Sequence, residues 1–185
     1  MKIIDLAIEI AAKAHGNQVR KGTDIPYVTH PFAVGIILLK ACCVDEVVIA
    51  GILHDTVEDT SITLDYIRQT FGEKVASIVE GCSEPDKSLT WEDRKKHTIE
   101  YLKSAPLEVR LVACADKLHN IRTIATEYAK IGDQVWKRFK KGKADQEGYY
   151  RSLVESLCNR SDNQAYESLF QKLKDEVEGF FGRII

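Results

Sequence analysis

Apolar residues recur at helical spacing from the start of the chain. Ile3, Leu6, Ile10 and Ala14 share one face with Asp5, Glu9 and Lys13 opposite, which predicts a helix over 3–15 ending near Gly16. Residues 17–27 mix Arg20, Lys21, Gly22, Asp24 and Pro26 and read as a basic loop. Pro31 suits the first turn of the next helix, where its missing N–H costs nothing; 32–40 is apolar nearly all round and is expected to be deeply buried. Asp45 is placed to cap a third helix over 47–57. Its valine- and isoleucine-rich start also suits a buried strand, but apolar character continues to Val57 and favours helix.

Two short helices, 63–71 and 72–81, are expected to meet at the Phe71-Gly72 break, followed by a loop over 83–88. Thr90 with Asp93 three residues on resembles a capping box for a helix to about 103. Pro106 opens another to about 125, carried by Val109, Val112, Ala113, Leu118 and Ile121. Beyond Gly132 the chain is more polar, yet Trp136, Phe139, Tyr149, Tyr150, Leu153 and Leu157 can pack a further helical hairpin, with a last helix over 163–180. No alternating strand pairs stand out. The fold class is all-α: a compact multi-helix bundle with C-terminal helices packed on it. The whole chain, 1–185, is expected to be one domain, with a core of about 3–125 and a helical extension of about 126–185.

Composition changes this picture only at the edges. A formal net charge of −2 argues against a general electrostatic grip on nucleic acid. The stretch Trp136-Lys137-Arg138-Phe139-Lys140-Lys141 interleaves aromatics with cations, a pattern that can stack bases, but inward-packed aromatics are favoured by the acidic total. Five cysteines without a Cys-x-x-Cys pair suit reduced thiols better than a disulfide framework. There is no basic–apolar leader and no apolar run near the ~20 residues of a membrane span, so a cytoplasmic protein is expected. Oligomeric state is not legible.

Polar residues intrude where buried helices do not usually tolerate them. His54 and Asp55 follow an almost wholly apolar stretch, and a buried carboxylate costs several kcal/mol unless paired or bound to metal. On a continuous helix Glu58 and Asp59 stand one turn beyond them, which gathers one imidazole and three carboxylates. Asp116 follows the mostly apolar 109–115 and reaches Asn120 one turn later; His30 precedes Pro31. Taken singly, each has an ordinary structural explanation: a turn histidine, an acidic helix end, or Asp116 paired with Lys117 or Arg122. Together, His30, His54, Asp55 and Asp116 form a mixed nitrogen–oxygen donor set suited to Mn, Fe or Zn. Glu58 and Asp59 are then candidates to take the proton of an attacking water.

The order His30, His54-Asp55, Asp116 resembles the HD superfamily of metal-dependent phosphohydrolases. The fuller wording His15-x-x-Gln18-x-Arg20-Lys21, Pro26-Tyr27-x-x-His30-Pro31, Leu53-His54-Asp55-Thr56-Val57-Glu58-Asp59-Thr60, Phe71-Gly72 and Ala115-Asp116-Lys117-Leu118-x-Asn120 is similar to the hydrolase domain of Rel/SpoT alarmone enzymes. The length leaves no room for their synthetase and regulatory domains, so the chain resembles the stand-alone small alarmone hydrolases. That resemblance implies removal of the 3′-pyrophosphate from ppGpp or pppGpp with Mn²⁺. It assigns His30, His54, Asp55 and Asp116 to the metal, Glu58 and Asp59 to the water, and Arg20, Lys21, Asn120, Thr123 and Tyr149 to the nucleotide. It sets Lys87, Arg94 and Lys95 where the family supplies cations to phosphates. The wording of Gly81-Cys82-Ser83-Glu84-Pro85-Asp86 departs from that of the long enzymes. Two other readings are an HD phosphohydrolase for another nucleotide, such as (p)ppApp, NADPH or a nucleoside monophosphate, and a non-catalytic alarmone sensor. The sensor would have little reason to keep Glu58 and Asp59 beside four intact ligands.

Overall fold

In the computed structural model the described residues are 2–83, 86, 88–158 and 161–183. Lys87, a proposed phosphate contact, and Glu84 and Pro85 of its loop lie outside them. The elements are α1 (Lys2–Ala14), α2 (Thr29–Lys40), α3 (Asp45–Leu53), α4 (Thr56–Asp59), α5 (Leu64–Phe71), α6 (Glu73–Cys82), α7 (Trp91–Leu102), α8 (Leu107–Ile131), α9 (Lys143–Cys158) and α10 (Glu167–Phe181). Short 3₁₀ turns cover Gly132–Arg138 and Ser161–Tyr166. No β-strand occurs among the described residues; a single antiparallel bridge, Val19 to Pro26, closes the basic loop after α1.

The centre of the molecule is α3. All of Val47–Leu53 is buried, and the helix packs against α1, α2, α6 and α8. Each large apolar side chain so buried contributes ~1.5–3 kcal/mol. The valine- and isoleucine-rich run is therefore helical because helices surround it on every side. Close approach of α2 and α3 depends on two glycines. A Cβ on Gly51 would lie 2.3 Å from Leu38 Cδ1, and one on Gly35 would lie 2.6 Å from Ile52 Cγ1. The 25-residue α8 touches α2, α3, α6 and α10.

Several boundaries differ from the pattern reading. The buried stripe of α1 is Ala7, Ile10 and Ala11, while Ile3 and Leu6 are exposed. In α2, Ile36 and Leu39 face outward, so that helix is buried on one side only. Asp45 is the first residue of α3 and not its cap; the extended Val44 takes that place. The capping prediction at Thr90 holds, its hydroxyl accepting from Asp93 N at 3.2 Å. The Phe71-Gly72 break also holds, with Gly72 at φ +90°.

Gly132 ends α8 six residues beyond 125, and the C-terminal aromatics then fill a second part of the core. Trp136 packs near Tyr128, Phe180 and Phe181, with centroids 6.0–6.3 Å away, so its indole faces inward. Buried Arg110 of α8 stacks over Phe170 of α10 at 5.6 Å. These contacts dock α9 and α10 onto the bundle and bring Tyr149 to the rim of the site.

Candidate active site

The corner after α3 comes from side chains competing for helix carbonyls. His54 Nδ1 donates to Gly51 O at 2.8 Å, and Thr56 Oγ1 donates to Leu53 O at 2.7 Å. Those carbonyls would otherwise accept the N–H groups of Asp55 and Val57, so the helix stops. The continuous helix expected over 47–57 is thus broken, and Asp55 becomes the cap of the four-residue α4. Glu58 and Asp59 still follow one turn later and line the same cavity.

Three separate elements meet at this corner. His30 stands in the first turn of α2, His54 ends α3, and Asp116 sits within α8. Ligand atoms of these three residues all lie within 4.8 Å of one another. Asp55 joins through Oδ2, which is 3.1 Å from His54 Nε2 and 3.7 Å from His30 Nε2. Asp116 Oδ1 is 3.2 Å from His30 Nε2. His30 and His54 are 2% and 4% exposed, too deep for water to satisfy them freely.

Each carboxylate is held by neighbours. Tyr27 Oη donates to Asp55 Oδ2 at 2.6 Å. Asn120 Nδ2 donates to Asp116 Oδ1, and Lys117 Nζ to Asp116 Oδ2, both at 2.6 Å. The ordinary pairing of Asp116 with Lys117 is therefore real, and it coexists with the cluster. Arg122 instead pairs with Glu176. Arg20 Nη2 donates to Asn120 Oδ1 at 2.9 Å, which links the basic loop through Asn120 to Asp116. Gln18 Nε2 donates to Asp59 O at 2.7 Å and ties that loop to α4.

The electrostatics are those of buried imidazoles and carboxylates pressed together. Burial alone would lower the pKa of His54, but Asp55 and Asp116 overcome this and raise it to about 9. Burial pushes the Asp55 carboxyl up, yet His54 beside it holds it below the usual carboxylate range. Asp116 is likewise held low, chiefly by Lys117 working against burial. His30 is lowered, chiefly by burial. His54 Nε2 is buried without a hydrogen-bond partner of standard geometry, although Asp55 Oδ2 lies 3.1 Å away. An orphaned imidazole nitrogen facing two carboxylates fits a divalent ion.

The cavity has a volume of about 720 Å³, within the usual range for small-molecule sites. His30, His54, Asp55 and Asp116 form its floor, with Glu58 and Asp59 to one side. Arg94 and Lys95 of α7, Tyr149 of α9, and Arg20 and Asn120 also border it. Lys21 and Thr123 line an adjoining pocket of about 300 Å³ that shares Arg20, Asn120 and Tyr149 with the first. All the residues proposed from sequence that the structure describes therefore line one or the other of these two pockets.

Four contributors had no role assigned in the sequence reading. Tyr27 and Gln18 lay inside the quoted motifs. Lys117 and His119 flank Leu118 in the Asp116 motif. His119 Nδ1 is 2.7 Å from His30 Nδ1, and its pKa is lowered to about 4, first by burial and then by His30. The signal for it was present: residues 116, 119, 120 and 123 share one face of a helix.

Fold and centre together define an all-helical protein with a buried histidine–carboxylate cluster at the base of a part-basic cavity. The chain belongs to the HD domain family, whose model matches residues 7–143. It is 38% identical over 120 residues to the guanosine-3′,5′-bis(diphosphate) 3′-pyrophosphohydrolase MESH1 of Danio rerio, covering 63% of this chain and 66% of that protein. It is 33% identical over 184 residues to a GTP pyrophosphokinase of Streptomyces coelicolor, covering 96% of this chain and 21% of the relative. A solved structure described as a metazoan ortholog of SpoT that hydrolyzes ppGpp superposes with a TM-score of 0.80. It is 29% identical and covers 100% of this chain and 98% of its own. The chain spans about a fifth of the length of the first bacterial relatives, 16% and 21%. Among the described residues no helix is long and apolar enough to cross a membrane.

Proposed function

We propose that this chain is a metal-dependent 3′-pyrophosphohydrolase of (p)ppGpp, releasing pyrophosphate and leaving GDP or GTP. The observation that carries the reading is the meeting of His30, His54, Asp55 and Asp116 at the floor of a cavity whose sides supply both acids and cations. The activities for which MESH1 and the SpoT ortholog are named support the same reaction. His30, His54, Asp55 and Asp116 are the proposed ligands, with Mn²⁺ the proposed ion. A divalent ion bound there supplies Lewis acidity toward a phosphoryl oxygen and lowers the pKa of water.

The chain's own groups do the rest. Glu58, half-buried beside the floor, accepts the proton of the attacking water, and Asp59 orients that water. Attack falls on the phosphorus attached to the ribose 3′-oxygen; that P–O bond breaks, pyrophosphate departs with the water's oxygen, and the proton held by Glu58 passes to the 3′-oxygen to leave a hydroxyl. Arg94 and Lys95 face the diphosphate and offset its charge. Arg20, Lys21, Asn120, Thr123 and Tyr149 hold the nucleoside side, the last three from α8 and α9. Tyr149 lies beyond the matched family region, so in this reading 1–185 works as one domain. The small nucleotide substrate and five free thiols suit a cytoplasmic protein.

The test is turnover of ppGpp by the purified chain with and without Mn²⁺. Pyrophosphate and GDP are the expected products, formed only with the ion. Release of inorganic phosphate rejects the assigned bond, and inertness toward every nucleotide 3′-diphosphate rejects the substrate class.

A further inference from the structure

His30 and His54 both turn Nε2 toward the carboxylates, but their other nitrogens are held differently. A neutral imidazole offers a lone pair at Nε2 only when its proton sits on Nδ1. For His54 the backbone makes that choice, because Gly51 O can only accept and so requires Nδ1–H. His30 has no carbonyl at Nδ1. Its partner at 2.7 Å is Nδ1 of His119, with the two rings 4.9 Å apart and tilted by 36°. Two ring nitrogens at this distance share one proton, so one donates and the other accepts. If His119 donates, the His30 proton moves to Nε2 and is aimed at Asp116 Oδ1, 3.2 Å away, where it blocks the donor set.

We propose that His119 is a positioning residue for the metal centre: its Nδ1 accepts from His30 Nδ1–H and so keeps the His30 Nε2 lone pair free for the ion. This deepens the metal reading above and rests on it. Outer hydrogen bonds of this kind orient ligand imidazoles and raise their basicity, and losing one typically costs ~10–100-fold in metal affinity. The placement of His119 follows from α8. It stands three residues after Asp116, and its own carbonyl accepts from Thr123 Oγ1 at 3.0 Å as part of the helix surface facing the site. One helix thus brings both an acidic ligand and the acceptor that sets its partner's tautomer. His54 is secured by main chain that no substitution removes, whereas His30 depends on a side chain.

The experiment compares Zn²⁺ binding by calorimetry in the wild-type chain, His119→Phe and His119→Asn. Phenylalanine keeps the ring and removes the acceptor; asparagine can return an oxygen acceptor near the same place. His119→Phe is expected to bind Zn²⁺ ~10–100-fold more weakly, with His119→Asn within a few-fold of wild type. Nitrogen-15 NMR of the zinc-loaded wild-type chain gives a second readout independent of turnover and of either variant's folding. It is expected to show His119 protonated on Nε2, with coupling between the two Nδ1 nuclei across the hydrogen bond. Wild-type affinity in a folded His119→Phe protein, or a His119 proton on Nδ1, overturns the inference alone. Failure of the wild-type chain to bind any divalent ion overturns the metal reading and this inference with it.

Discussion

Helix α3, whose end sets His54 and Asp55 into the cavity, and α7, which borders it directly, are opposite in character. Every residue from Val47 to Leu53 of α3 is buried, whereas in α7 Leu102 alone is. The floor groups at the end of α3 are therefore fixed by a close-packed core, and those of α7 project from a polar surface. A buried floor holds ligand atoms to the tolerance that chemistry needs, and a partly wet wall can adapt to a flexible, charged substrate. The consequence is that floor substitutions should abolish turnover, while wall substitutions should mainly weaken binding.

The largest effect is expected at the floor. Asp116→Ala removes a proposed ligand and strands Lys117 and Asn120, both of which hold its oxygens. Since an ion at such a site supplies several kcal/mol of charge stabilisation, turnover is expected to fall ~10³-fold or more, with loss of Mn²⁺ binding by calorimetry. Retained ion binding would break the floor–wall distinction at its root.

Glu58→Gln sharpens it. Glu58 lies off the ligand cluster but beside it, so Mn²⁺ affinity should stay near wild type while kcat drops ~10²–10⁴-fold. A loss confined to KM would move Glu58 from proton acceptor to substrate contact. Without metal, the floor should also show its own pH signature. His54 is raised from 6.5 to about 9, so its stabilising contribution is complete below pH 6.5 and is lost as pH climbs to about 9. Thermal melts of the metal-free chain should accordingly fall across pH 6.5–9 by roughly 3 kcal/mol in that contribution. Melts flat across this window would mean that Asp55 and Asp116 do not hold the imidazolium.

On the wall, Lys95→Ala removes a cation that sits over the Tyr149 ring at 4.8 Å and borders the cavity. A hydrogen bond to a charged group contributes about 1.5–3 kcal/mol, so KM for ppGpp should rise ~10–100-fold with kcat within a few-fold. A kcat loss matching that of Glu58→Gln would make the wall part of the chemical machinery.

The same contrast explains what could be read from sequence. The floor was legible because an imidazole and a carboxylate at the end of an apolar run are costly unless they have a task. The wall was legible only through the family resemblance, since by pattern alone Arg94 and Lys95 look like any cations on an exposed helix. The break between α3 and α4 was missed because it depends on His54 and Thr56 hydrogen-bonding carbonyls, which no periodicity records. The buried face of α1 was misjudged for another reason. Its small residues Ala7 and Ala11 allow close packing, whereas the larger Ile3 and Leu6, which dominate the apolar pattern, are exposed. His119 shares the helix face of Asp116, but what gives it a role is a partner 89 positions away.

The smallest effect is expected at the end of α2 remote from His30. There Cys42 adopts φ +57°, with Cys42 N bonded to Leu39 O at 3.0 Å and Cys43 N to Leu38 O at 3.1 Å. This is the left-handed helix termination that glycine usually occupies, and a side chain there costs about 1–2 kcal/mol. Glycine relieves that strain but is more flexible when unfolded, so Cys42→Gly should stabilise by a net ~0.5–1 kcal/mol. For a chain of this size the melting temperature should rise by about 1–4 °C, with kcat, KM and Mn²⁺ affinity unchanged. The separation matters because α2 carries a floor histidine at its other end. If relieving strain twelve residues from His30 altered ion affinity, the floor's geometry would be set by tension along the helix. Unchanged affinity assigns it to the side-chain bonds that clasp His30 and its neighbours in place.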